Sequence, residues 1–195
     1  MLAPQSGLIL AAVSWVRRYT ATVGATSVCI APATPGRQGE VMQTLMRGAL
    51  AGLAATVPMT AVIAAGRAAG LMDTPPPVEI TENVAEQIGE NPDRQSPAFQ
   101  AGWVAAHVGY GVACGALYAA MRPLLPRSDL AAGVLFGGAV WGISYISIMP
   151  ALNLYPSAAA DTKQRQAVMI AAHVVFGTAL ATIDTRLRSA PWSAA

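Results

Sequence analysis

The side chains best suited to chemistry near neutral pH are two imidazoles. The chain of 195 residues has two histidines, His107 and His173. They occupy matching frames, "AAHVGYGVACGA" at 105–116 and "AAHVVFGTALAT" at 171–182, each inside a long apolar stretch. An ionisable group in such a place is a functional candidate, and His titrates close to neutral pH. Three kinds of chemistry stay open. A neutral imidazole can hydrogen-bond across helices to Tyr, Ser, Thr or a carbonyl and pin their packing. The pair can handle a proton or solute. The pair can also ligate a haem b iron from both sides. Two histidines without further Cys, Asp or Glu make half a zinc site, so no metal is expected.

Motifs of soluble enzymes fail on inspection. "GISYI" at 142–146 lacks the second glycine of a nucleophile elbow. "GYGVACG" at 109–115 misses the third glycine of a dinucleotide fingerprint and follows no strand. No pair of carboxylates reads as buried, so general acid–base chemistry has no obvious residues. No catalytic residue is expected, and the chain reads as non-enzymatic.

The elements that hold the histidines follow from composition. The chain is 54% hydrophobic and 11% charged, against about 25% charged in a soluble domain. That places it among membrane proteins. A net charge of +2 and the absence of Lys/Arg clusters among aromatics argue against nucleic acid as a partner. Cys29 and Cys114 are far apart, and Cys114 reads as a small buried hydrophobe.

Charges bound uncharged runs between Arg47 and Arg67, Arg94 and Arg122, Asp129 and Asp161, and Arg165 and Asp184. Each reaches the roughly 17–25 residues needed to cross a bilayer. Lipid offers backbone groups no partner, so the runs must be helices. They are placed near 46–70, 99–122, 130–150 and 166–187, with a kink expected at Pro58. The fold class is all-α: an integral membrane bundle of four transmembrane helices over 41–188, with 189–195 a tail.

One set of ends carries Arg17, Arg18, Arg37, Arg47, Arg122, Arg127, Arg186 and Arg188; the other carries Arg67, Arg94, Lys163 and Arg165. The excess on the first side puts both termini in the cytoplasm. Residues 1–40 read as a poorly ordered extension or an interfacial helix over 6–18, and Met42 or Met46 would suit as a start. Residues 73–98 hold six of the ten acidic residues. There "PPP" leads into Ile80, Val84 and Ile88 with glutamates mostly around the other face, which predicts a short amphipathic helix lying as a lid on the outer mouth.

Aligning 105–119 with 171–185 gives six identities in fifteen, the histidines among them. Gly48-x3-Gly52 echoes Gly133-x3-Gly137. The bundle therefore reads as two repeated helical hairpins. Residues four apart share a helix face, so His107 tops a stripe with Gly111 and Gly115, and His173 one with Gly177. Small residues mark close approach of membrane helices. Gly138 and Gly142 join Gly133 and Gly137 in overlapping GxxxG spacings, read as packing within the bundle or as the face of a homodimer or larger membrane complex. A polar cluster is expected in the outer half, from His107, His173, Tyr110, Tyr145, Ser144 and Thr60.

At "GALAGLAATVPM", "PPPVEIT", "AAHVGYG", "YISIMPALNLYP" and "AAHVVFGTAL" followed by "DTRLR", the chain resembles the YagU-like group of small bacterial inner-membrane proteins of unknown function. The likeness covers about residues 46–188. It implies a four-helix inner-membrane protein with cytoplasmic termini and brings no established activity. The leading expectation is an integral inner-membrane protein with a structural or accessory role and no cofactor. The alternatives are a small oligomeric transporter or proton-linked channel using His107 and His173, and a haem b electron-transfer protein.

Overall fold

A computed structural model describes residues 35–190 of the chain. Residues 1–34, including the segment considered as an interfacial helix, and 191–195 lie outside the described residues. The chain divides into units Met1–Gln38 and Gly39–Ala195; of the first, only the opening turn of a helix is described. Every described element is helical: α1 (Pro35–Ala68), α2 (Pro76–Gln87), α3 (Pro97–Met121), α4 (Asp129–Gly142) and α5 (Lys163–Ser189), with a 3₁₀ turn at Arg122–Leu124. Four spans are long and apolar enough to cross a membrane: Gly36–Ala68, Pro97–Leu124, Asp129–Ala151 and Lys163–Ser189.

Local chemistry sets the ends. Ser96, Ser128 and Thr162 are extended N-caps whose hydroxyls accept from the backbone N–H groups of Phe99, Ala131 and Arg165. The first helix begins at Pro35, not near 46. Its opening residues 36–43 are all exposed, so hydropathy gives no sign of this part. The helix also runs unbroken through Pro58, which lacks the N–H that Ala54's carbonyl would use.

Helix α4 does not end cleanly. It passes into a π-helical stretch, Ile143–Ile148, and a last turn, Met149–Ala151. The Met149 N–H donates to the Ser144 carbonyl, five residues back. Pro150 supplies the cause: its ring would clash with the carbonyl of Ile146 in a regular α-turn, and the wider π-turn relieves it.

The helices pack as a ring. A Cβ added to Gly52 would press on Gly115 Cα at 2.9 Å, and one on Gly48 would reach the Gly115 carbonyl carbon at 3.1 Å. A Cβ on Gly133 would sit 2.8 Å from the Gly177 carbonyl carbon, and one on Gly137 would sit 3.0 Å from that of His173. Backbone thus meets backbone along α1–α3 and α4–α5. Tyr118 meets Phe136 edge-on at 5.2 Å between α3 and α4. Arg47 reaches Asp184 at 3.0 Å between α1 and α5. Ala51, Ala55, Met59 and Ile63 form a buried stripe on α1, while Val57, Leu130 and Ile143 stay exposed on the outside. At Gly138 and Gly142 a Cβ would meet nothing within 4 Å among the described residues, so those glycines do not pack against them.

Candidate functional site

Between the helices lies a cavity of about 270 Å³. His107 and Tyr110 of α3, Val140 and Trp141 of α4, Ser144 and Tyr145 of its π-stretch, and His173 of α5 line it. Both imidazoles are therefore on one wall system. Thr60 is not at the wall, but it meets His107 Nε2 at 3.1 Å. Tyr110 and Ser144 share a hydroxyl–hydroxyl hydrogen bond of 2.7 Å. The expected cluster is brought together as two bonded pairs plus His173, while Tyr145 turns to another partner. Among the described residues no Asp, Glu, Lys or Arg lines the cavity.

Each histidine's tautomer follows from its partner. Thr60 Oγ1 donates its one proton to the Thr56 carbonyl at 2.8 Å, so it can only accept from His107, and Nε2 of His107 carries the hydrogen. His173 Nδ1 lies 2.8 Å from the Met169 carbonyl, which can only accept, so here Nδ1 carries the hydrogen. In the neutral form His107 keeps a lone pair on Nδ1 and His173 keeps one on Nε2, and neither nitrogen has a hydrogen-bond partner among the described residues. Trp141 Nε1 and the Tyr155 hydroxyl are buried beside the same cavity without partners.

The short helix α2 covers the cavity: Pro76, Pro77, Ile80 and Thr81 are part of its lining. Several polar contacts hold it down. Glu79 is ion-paired with Arg165 at the start of α5. Arg165 also donates to the Thr74 carbonyl at 3.1 Å, and its guanidinium lies 4.8 Å above the Tyr155 ring. Asn83 donates to the Leu154 carbonyl at 2.8 Å, and Gln87 to that of Leu152 at 2.9 Å. Asp161, 3.9 Å from Arg165, accepts from the Tyr145 hydroxyl. Trp141, Tyr145 and Tyr155 follow as a ladder of rings 5.5 and 5.7 Å apart. Burial pushes the Tyr155 phenol well above its ordinary range. On the solvent side Glu82 pairs with Arg94, which holds the carboxyl below its usual value.

Sequence reasoning passed over Glu79, Asp161, Arg165 and Tyr155. A signal existed: the acidic loop 73–98 and the basic Lys163–Arg165 segment fall on the same side of the bundle. It also passed over buried carboxylates. Asp184 is fully buried and Asp161 is 5% exposed at its side chain. They sit at opposite ends of α5, each against arginine, so they form no acid–base pair. Among the described residues no cluster of three or more His, Cys, Asp or Glu could hold a metal ion.

A second cleft, of about 520 Å³, opens outside α1 and α3. Arg67, Arg94, Gln95 and Gln100 make it polar, and His107 borders both it and the cavity.

A family of unknown function, DUF6789, matches residues 42–194. The chain belongs to that family. The match spans α1 from residue 42 on, the short helix α2 and the other three long helices, so the cavity lies wholly within the DUF6789 region. No curated protein and no solved structure matches the chain.

Proposed function

We propose that this protein is a non-enzymatic, multi-pass inner-membrane protein that binds a small, largely apolar molecule in the lidded cavity. One observation carries the reading: an uncharged cavity between apolar helices, roofed by a helix that ion pairs and carbonyl contacts hold in place. Pockets for small molecules have this make-up, apolar walls with a few placed polar groups. The size suits it too. An engineered apolar cavity of about 150 Å³ takes benzene, and this one is larger. The likeness to YagU-like proteins and the excess of arginine at the Arg47–Arg122–Arg188 ends support an inner membrane with both termini in the cytoplasm. A glycine seam in each helix pair, Gly48 and Gly52 against Gly111 and Gly115 and, one turn out of register, Gly133 and Gly137 against His173 and Gly177, supports two duplicated hairpins. The open faces of Gly138 and Gly142 support a homodimer or a larger membrane complex.

A second reading has its own support. His107 lies between the cavity and the polar outer cleft, a position suited to passing a solute or proton. Against a through-channel in a single chain stand the backbone contacts at Gly52 and Gly137, which close the seam between paired helices.

Native mass spectrometry after mild extraction tests the binding role. The wild type retains a small molecule, and Met169→Trp, which fills the cavity wall, releases it without loss of the fold. A wild-type protein that is empty and gains no thermal stability from any apolar additive sinks the reading. Flux through liposomes that falls in His107→Phe would favour transport. A Soret band in the purified protein would favour haem.

A further inference from the structure

We propose that the cavity takes an uncharged ring compound bearing a hydroxyl group, of the phenol or hydroquinone type, whose O–H is received by a free imidazole nitrogen. This rests on the reading of the cavity as a binding site and goes further by naming the chemistry of the ligand.

Charge comes first. Among the described residues the lining contains no Asp, Glu, Lys or Arg, and an ion taken from water into an apolar site without a counter-charge is strongly disfavoured. The ligand is therefore neutral. Hydrogen bonding comes next. Thr60 and Met169 consume one N–H group of each ring, so in the neutral form the acceptors left on these two lining residues are Nδ1 of His107 and Nε2 of His173. A ketone, ether or ester could accept from Trp141 Nε1 or the Tyr155 hydroxyl but offers these two nitrogens nothing. A hydroxyl does, because its hydrogen can be donated while its oxygen still accepts. A donor for that oxygen exists. Tyr110 and Ser144 bond to each other, and two hydroxyls in one hydrogen bond leave one proton over.

Shape decides the rest. Tyr110, Trp141, Tyr145, Tyr155 and Phe176 contribute aromatic rings to the lining, and Met59, Met149 and Met169 supply adaptable thioethers. A planar ring is the body that such walls enclose best. The cavity has room for one ring with short substituents, by comparison with the cavity of about 150 Å³ that takes benzene. Such molecules partition into lipid, from which a site between membrane helices can be filled.

The two histidines make the test direct. Protein labelled with ¹⁵N only in histidine, in detergent or nanodiscs, shows two imidazoles. Their nitrogen shifts should report Nε2–H in His107 and Nδ1–H in His173. Titration with 4-ethylphenol should move at least one unprotonated nitrogen and saturate. The methyl ether, 4-ethylanisole, should bind about tenfold more weakly, the worth of one net hydrogen bond. Replacing the responding histidine by Phe should bring the two affinities together. Equal saturable binding of phenol and ether to the wild type overturns the hydroxyl inference and leaves the cavity a binding site. A linear response without saturation from either compound means simple partitioning and overturns both.

Discussion

Arg47 on α1 and Asp184 on α5 meet at 3.0 Å, with the Asp184 side chain fully shielded from solvent. Arg188 approaches the same carboxylate at 3.4 Å. Asp129, at the start of α4, is paired with Arg122 at 2.9 Å. Charge thus ties together the end of the bundle opposite the lid.

Removing one partner of this pair leaves a buried charge short of compensation. Arg47→Met should cost on the order of 3 kcal/mol in unfolding free energy, measured by denaturant titration in mild detergent. Arg47→Met combined with Asp184→Leu should recover most of the loss. A single variant as stable as wild type would show that Arg188 alone suffices.

The glycine seams predict a contrast between faces. Gly52→Leu and Gly137→Leu must push backbone away from backbone, because a Cβ on Gly52 already lies 3.0 Å from Gly115 N. Each should lower stability by about 1–3 kcal/mol or more. Gly138→Leu has open space, so its thermal midpoint in detergent as a monomer should stay near wild type. Any loss of a cross-linked dimer in that variant would mark α4 as an interface.

The lid should loosen when its anchor is cut. Arg165 binds Glu79 and the Thr74 carbonyl from α5. Arg165→Met should raise amide hydrogen exchange in α2 several-fold while α3 and α4 keep their protection. Uniform change across all helices would show that Arg165 serves general stability instead.

Acid should loosen the lid as well. Arg94 holds the Glu82 carboxyl below its ordinary range, so folding favours the carboxylate. That contribution is complete above the unfolded-state value near 4.5. It fades as pH falls through the lower folded-state value. Exchange in α2 should rise on strong acidification, and Glu82→Gln should remove that part of the pH dependence at the lid's outer edge.

Topology is open to labelling. In a background with Cys29→Ser and Cys114→Ala, a cysteine at Asn91 should react with a membrane-impermeant maleimide in intact spheroplasts. One at Arg127 should react only after lysis. The reverse pattern would invert the assigned orientation.

Much of the architecture can be read in the sequence because lipid enforces a simple rule. Backbone groups must bond within a crossing segment, so length and apolarity alone mark out four helices near 46–70, 99–122, 130–150 and 166–187, where the apolar spans are Gly36–Ala68, Pro97–Leu124, Asp129–Ala151 and Lys163–Ser189. The period of Ile80, Val84 and Ile88 among glutamates was enough to expect α2, although the helix ends at Gln87 and Ile88 stands exposed beyond it. The extension of α1 back to Pro35 was not legible, because residues 36–43 are exposed and carry no apolar run. Nor was the π-stretch, where a conflict between Pro150 and a carbonyl is resolved only by three-dimensional geometry.

The site divides in the same way. Sequence alone determined that the two imidazoles sit within apolar helices beside small residues, because residue type and spacing fix a helix face. Only tertiary structure decided which atoms those rings meet: Thr60 for one, the Met169 carbonyl for the other. It alone brought Glu79 to Arg165 across 86 residues and laid α2 over the cavity. Helical periodicity is a local property of the chain. Hydrogen-bond partners and enclosed space depend on how helices distant in sequence are rotated and seated against one another, and no local pattern encodes that.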